Sequence, residues 1–210
     1  MAPSPSSDLS EQKRALRREM SAARIALPES ECGPRSEAAC ARLLALPELA
    51  ALASAGPKAL AGYVAARGEI DPAPVLAAAA AGGATVALPR VAAEAPRLRF
   101  HRADSGPLAP GRFGLREPAA TAPEIPLDQL DVVIVPGLAF DAQGRRLGFG
   151  GGYYDSVFGA SGKRPALIGL CYDFQVVARC PAGEGDVPVD VVVTDARVLR
   201  PPAPQRGTNQ

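Results

Sequence analysis

The chain has 210 residues and 21.6 kDa, with 47% hydrophobic and 21% charged side chains, which suits one α/β domain with a sizeable core and excludes a disordered or fibrous protein. Its 23 basic and 22 acidic residues leave a formal charge of +1, so no global field draws it to nucleic acid or a membrane surface. Any anion site must be local.

Residues 1–7 and 201–210 are small, polar and proline-containing, and are expected to be tails around a single domain at 8–200. The opening MAPSPSSDLSEQKR has no apolar core for a signal peptide, and charges or prolines interrupt every stretch long enough to span a membrane. A cytoplasmic protein is expected. From Asp8, Leu9, Leu16, Met20, Ala23 and Leu27 recur at helical spacing, with Asp8 and Glu11 fitting a capping box and Pro28 closing the helix. This helix offers Lys13, Arg14, Arg17 and Arg18, of which Lys13 and Arg17 share a face. A second helix is expected over 36–46, ended by Pro47.

After Gly56-Pro57, short apolar runs alternate with helix-length Ala-rich stretches, the pattern of an α/β fold. Strands are expected at 59–64, 84–88, 97–102, 131–136, 166–171 and 191–194. Between the first two, Pro72 and Gly82-Gly83 bound a helix over 72–81. Proline-rich 103–130 reads as a long loop of the kind that is often functional, and the sequence leaves open whether its Arg116-Glu117 part closes over a substrate. The lone His101 is expected to pack rather than catalyse.

The strand at 131–136 runs into PGLAFDAQGRRLGFGGGYYDSVF, with Gly144, Gly148, Gly150, Gly151 and Gly152 inside nine residues. Such a loop exposes consecutive amides that can converge on phosphate oxygens, helped by the start of a following helix and by Arg145 and Arg146. It matches neither a Walker A loop nor the G-x-G-x-x-G dinucleotide pattern. Tyr153 and Tyr154 can place one ring inward and one toward a ligand. Asp155 suits Mg2+, which takes one or two carboxylates beside phosphate oxygens, though it fits a helix cap as well. Glu184, Asp186 and Asp190 precede the last strand and are further candidates for the same metal. Glu69 follows the 59–64 strand at its carboxyl end, where α/β sheets place ligands. Cys32, Cys40, Cys171 and Cys180 lack zinc spacing, and four free thiols are expected.

With these pieces in order, the chain resembles the 5-formyltetrahydrofolate cyclo-ligase family, also called 5,10-methenyltetrahydrofolate synthetase. The resemblance rests on KRALR (Lys13–Arg17), Tyr63 with RGEID, VALPRV (Val86–Val91), GRFGLREP (Gly111–Pro118), RRLGFGGGYYD, IGLCYDFQ and GDVPVDVVVTD. It implies a three-layer α/β sandwich with a mixed, mostly parallel sheet. It also implies an enzyme that uses ATP and Mg2+ to cyclise 5-formyltetrahydrofolate, polyglutamylated or not, as a monomer or weak dimer. By the resemblance, Lys13, Arg17, Arg146, Leu147, Gly148, Phe149, Gly150, Gly151, Gly152, Tyr153 and Tyr154 hold ATP. Val64, Glu69, Phe149, Gly150, Gly151, Gly152 and Tyr153 meet the folate, Asp155 and Asp186 hold the metal, and Arg146 and Tyr154 serve catalysis. Family members often carry Arg after YYD, where Ser156 stands here, and some carry a basic residue where this chain has Phe149 or Gly151. Two other readings stay open: a binding protein of the same fold without turnover, and a phosphosugar isomerase that needs no ATP.

Overall fold

The computed structural model describes residues 5–53, 58–92, 97–159 and 164–202. Helices α1 (Pro5–Ile25), α2 (Glu29–Leu44) and α3 (Pro47–Ala50) precede strand β1 (Ala59–Ala61), and α4 (Ala73–Ala81) joins β1 to β2 (Thr85–Val91). Strand β3 (Leu98–Arg102) follows, then the short β4 (Ala109–Pro110), β5 (Arg116–Glu117) and β6 (Glu124–Ile125). Next come β7 (Val132–Pro136), the hairpin β8 (Ala139–Phe140) and β9 (Arg146–Leu147), and α5 (Tyr153–Phe158). The chain closes with β10 (Ala166–Leu170), β11 (Val191–Val193) and β12 (Val198–Leu199).

One eight-stranded sheet has the order β12-β11-β10-β7-β1-β2-β3-β6. The five strands from β11 to β2 run parallel, and β12, β3 and β6 pair antiparallel at the edges. Parallel strands covered on both faces become continuous apolar runs, as in VVIVP and ALIGL. Alternate residues then serve opposite faces. Leu60, Ile134, Ile168 and Val193 pack under α2 and α4 with Leu43, Val75 and Leu76. Ala61, Val133, Val135, Leu167 and Val192 face Phe140 and Phe158 on the other side. Helices therefore cover both faces, and the fold is the expected mixed α/β sandwich.

The chain moves from β1 to β2 in one direction across the sheet, and from β7 to β10 and β11 in the other. The reversal lies between β1 and β7, which is where such sheets open a crevice at their carboxyl ends. A third apolar cluster joins α1 to the β8-β9 hairpin through Met20, Leu138, Ala139, Leu147 and Cys180. It sets α1 across that crevice.

Several boundaries differ from expectation. Helix α1 starts at Pro5, inside the expected tail, so Asp8 is not a cap and instead accepts from the Gln12 side-chain amide at 2.9 Å. Residues 1–4 and 203–210 lie outside the described residues. Helix α2 starts at Glu29 and continues through Pro34, its sixth residue, which gives up one intrahelical hydrogen bond, and Pro47 opens α3 after it. The expected loop 103–130 carries β4, β5, β6 and two single-turn helices; β6 pairs with β3 at the sheet edge. Its prolines mask these elements, because each is only two or three residues long.

Candidate functional site

A cavity of about 470 Å³ opens at the carboxyl ends of β1, β2 and β7, within the usual range for a small-molecule site. Each element brings its part for a local reason. Helix α1 is amphipathic with a twist: Lys13, Leu16, Arg17, Met20 and Arg24 fall at helical spacing on its inward side, while Arg14, Arg18 and Ile25 face solvent. Lys13 and Arg17 line the cavity; Arg14 and Arg18 do not.

The glycine run crosses the cavity floor. Gly148 accepts a hydrogen bond from Arg17 Nε at 2.9 Å. Gly150 has φ 106°, a left-handed conformation open to glycine, and a Cβ there would sit 3.3 Å from the Arg17 guanidinium. The backbone conformation there favours glycine, and a side chain would also press on the Arg17 guanidinium. Helix α5 that follows has six residues, too short for a substantial dipole. The positive charge comes instead from Lys13, Arg17 and Arg146.

Two ion pairs organise this charge. Lys13 Nζ donates to Asp186 Oδ2 at 2.5 Å, and Asp186 also accepts from the Gly183 amide at 2.9 Å. Arg146 Nη2 donates to Asp155 Oδ1 at 2.9 Å, which accepts in addition from the Val187 amide at 3.2 Å. Asp155 and Asp186 therefore meet at the 183–187 turn, each beside a cation. Asp155 is the third residue of α5, whose N-cap is Gly152, so it is not the helix cap. Both carboxylates are hard oxygen donors facing the cavity, a set that fits Mg2+ completed by phosphate oxygens and water. Among the described residues no group of three or more His, Cys, Asp or Glu gathers as a fuller metal cage.

On the opposite wall, Glu69 sits in a tight turn with Arg67 at φ 54° and Gly68 at φ 72°. Its carboxylate accepts from the Ala66 amide at 3.1 Å, and Arg24 Nη1 lies 3.8 Å away. Burial pushes the Glu69 carboxyl above the usual carboxylate range, against the pull of that amide, Arg24 and Arg67. Tyr154 is packed beneath Arg146, 5.4 Å from its guanidinium, and burial raises its phenol well beyond the ordinary tyrosine value. It therefore stays a neutral donor. Phe149, 45% exposed at the loop tip, lies 5.5 Å from the Arg24 guanidinium and 5.3 Å from that of Arg67.

All the residues singled out by the resemblance line this cavity: Lys13, Arg17, Val64, Glu69, Arg146 and the run from Leu147 to Asp155, with Asp186. Arg116 and Glu117 also reach it. Three expectations fail. Arg145 turns away and donates to Asp141 at 2.7 Å; the buried Asp141 carboxylate also ties down the amides of Gln143, Arg145 and Cys180. Asp190 is occupied by Arg164 and the Leu167 amide, where it pins β10 beside β11, and Glu184 does not line the cavity. The sequence reasoning also missed Arg24, although Lys13, Arg17, Met20 and Arg24 are spaced four, three and four residues apart along one stripe. His101 is buried with Nδ1 2.7 Å from the Ala122 carbonyl, a packing role as expected, and all four cysteines are free. Among the described residues, no helix is long and apolar enough to cross a membrane.

Comparison with known proteins places the chain in a family. The family model described as the 5-formyltetrahydrofolate cyclo-ligase family matches residues 9–195. A 5-formyltetrahydrofolate cyclo-ligase of Escherichia coli (strain K12) is 34% identical over 137 residues, 62% of this chain and 74% of that protein. One from Saccharomyces cerevisiae is 41% identical over 109 residues, 47% of this chain and 51% of that one. The solved structure of Aquifex aeolicus 5,10-methenyltetrahydrofolate synthetase superposes with a TM-score of 0.75 at 34% identity, covering 90% of this chain and 92% of that one. A Mycoplasma pneumoniae 5,10-methenyltetrahydrofolate synthetase, at 22% identity and TM-score 0.69, shares the fold.

Proposed function

The chain belongs to the 5-formyltetrahydrofolate cyclo-ligase family, and from that premise we propose that it converts 5-formyltetrahydrofolate to 5,10-methenyltetrahydrofolate, with ATP bound as its Mg2+ complex and split to ADP and phosphate. The observation that carries this reading is the single cavity in which a cationic, glycine-floored end faces a buried carboxylate end. One end suits a polyphosphate, the other the N-H donors of a folate heterocycle.

The chemistry needs charge neutralisation and alignment more than a protein nucleophile. A formamide oxygen is a poor leaving group. In the proposed reaction it attacks the γ-phosphorus, the bond to ADP breaks, and an imidoyl phosphate forms. N10 then attacks the imidoyl carbon, the C-O bond breaks, phosphate leaves and N10 loses its proton. Lys13, Arg17 and Arg146 neutralise charge on the transferring group, and the amides of Gly148–Gly152 fix its orientation. Mg2+, held by Asp155 and Asp186, would supply further neutralisation of phosphate oxygens. Tyr154, kept neutral by burial, holds Arg146 in place and has a proton to donate. Glu69 anchors the folate ring. No Ser-His or Cys-His pair is required, which agrees with His101 and the cysteines lying off the cavity.

Before ligand arrives, the two cations and two carboxylates neutralise each other. MgATP exchanges both pairs at once: phosphates take Lys13 and Arg146 while the metal takes Asp186 and Asp155. ATP alone would separate the ion pairs and strand the carboxylates, so metal and nucleotide should bind with mutual reinforcement.

The test is an absorbance assay for the near-ultraviolet methenyl band. Growth of the band only when Mg2+, ATP and 5-formyltetrahydrofolate are all present is expected. A protein that binds both ligands yet forms no product would reduce the reading to a binding role, and turnover without ATP would overturn it.

A further inference from the structure

Arg24 does not line the cavity, yet it packs against residues that do. It is 4% exposed, and its Nε and Nη1 meet no hydrogen-bond partner among the described residues. Its Nη1 stops 3.8 Å from Glu69 Oε1, about 1 Å beyond the length of a charge-assisted hydrogen bond. On its other side its guanidinium reaches the Phe149 ring at the tip of the glycine loop. A buried guanidinium with idle donors is a cost to folding, because an unsatisfied polar group has lost its water without replacement. The neighbouring Ile25 is 83% exposed, so the helix places its charge inward and its apolar side chain outward. That inversion points to use rather than packing.

We propose that Arg24 is the positioning residue of this pocket: its guanidinium closes the gap to Glu69 when substrate enters and aims that carboxylate at the N-H edge of the substrate heterocycle. The heterocycle is identified through the folate reading above, and the proposal rests on it. A carboxylate accepts two N-H donors side by side only if its plane is fixed. Here one oxygen is already held by the Ala66 amide, and Arg24 is placed to fix the other. Phe149 would follow, since its ring rests against the same guanidinium, so substrate binding and loop position become linked through one side chain.

Ionisation of Glu69 belongs to the same device. The charged and titratable groups facing it are Arg24 from α1, Arg67 from its own turn, Tyr63 after β1 and Tyr154 from α5. Burial favours the protonated carboxyl, and Arg24 opposes it. Removing Arg24 leaves Glu69 protonated to higher pH, in a form that no longer accepts two donors.

The experiment compares wild type, Arg24→Met and Arg24→Lys in the full chain, with three readouts. Carbon-13 labelling of the Glu side chains, with Glu69→Gln to assign the signal, follows the Glu69 titration by NMR without any ligand. Kinetics give KM for 5-formyltetrahydrofolate and for MgATP and kcat/KM against pH, and thermal unfolding checks the fold. In Arg24→Met the Glu69 midpoint should rise by about one unit or more, the folate KM at least tenfold, and the acid limb of kcat/KM should shift upward, with the MgATP KM within about twofold of wild type. Arg24→Lys should recover most of the folate KM. An unchanged Glu69 midpoint in Arg24→Met overturns the proposal, as does a rise in both KM values together with a fall in melting temperature, which marks a merely structural role. A wild-type protein that makes no methenyl product, while the Glu69 midpoint still moves in the variant, would overturn the folate reading and leave Arg24 assigned to Glu69 alone.

Discussion

At the scale of single residues, the site is a set of charges whose partners decide their availability. Asp155 illustrates this, since one of its oxygens accepts from both Arg146 and the Val187 amide. Asp155→Asn keeps size and shape but removes the charge that a divalent ion needs. Turnover should fall at least tenfold, and the Mg2+ concentration for half-maximal rate should rise, as read from initial rates across a magnesium series. Unchanged magnesium dependence would put the ion elsewhere. Lys13→Met should weaken MgATP binding by about tenfold or more in calorimetry, the scale of a lost charge-assisted hydrogen bond, while the folate KM stays near its wild-type value. Arg145→Ala, by contrast, should leave both substrates' KM values within about twofold, because that side chain serves Asp141 and not the cavity. The adjacent arginines of the RR pair look alike in sequence, and their roles separate only in the structure, where Asp141 captures Arg145 in the turn before β9 and Arg146 opens the strand beside Asp155.

At the scale of elements, the β8-β9 hairpin is held at its turn by a close backbone contact that leaves no room for a side chain. Gly144, in its turn, has φ 75°, and a Cβ there would lie 2.3 Å from the Val189 carbonyl oxygen. Gly144→Ala should therefore destabilise the fold by about 1–3 kcal/mol, measurable as a lower urea midpoint at unchanged m-value. Gly150→Ala, also at positive φ, strains the backbone and presses on the flexible Arg17 guanidinium, so it should cost MgATP affinity in addition to stability. A loss of stability with unaltered affinity would contradict that assignment. The parallel strands were legible because each is an apolar run bounded by Gly, Pro or Asp, and all six expected strands fall where the structure has them. Helix starts were less legible. Asp8 and Glu11 make a plausible capping box, yet the residues before them are free to be helical, and nothing in the local sequence forbids that extension. The short strands within 103–130 escaped because two-residue pairings have no periodicity to read. As for the site, the glycine motif announced itself by composition. Arg24 and Asp141 did not, since a buried arginine behind the pocket and an aspartate that ties three amides are recognisable only once distant segments meet.

At the scale of the whole molecule, α1 lies across the reversal point of the sheet and carries Lys13, Arg17 and Arg24 along about 16 Å of one stripe, from Asp186 at one end to Glu69 at the other. The carboxylates come from far along the chain: Asp155 and Asp186 from beyond β9, and Glu69 from the turn after β1. Ligand binding therefore adds a further tie among segments already joined by the sheet, the apolar cluster under α1 and the ion pairs, and it should raise the stability of the whole chain rather than of one loop. At MgATP about a hundredfold above its Kd the gain is about 2.7 kcal/mol, which for a chain of this size shifts the melting temperature by roughly 5–10 °C. The two-pair exchange makes a sharper demand. Mg2+ alone offers nothing to Lys13 and Arg146, and ATP with EDTA strands Asp155 and Asp186, so each alone should give a much smaller shift than the two together. In Asp186→Asn the carboxylate is no longer stranded, so ATP with EDTA should come closer to ATP with magnesium in its effect. Differential scanning fluorimetry across these four conditions reads the coupling directly. Equal shifts with and without magnesium in the wild-type chain would mean that the nucleotide does not displace the two ion pairs, and the exchange would have to be abandoned.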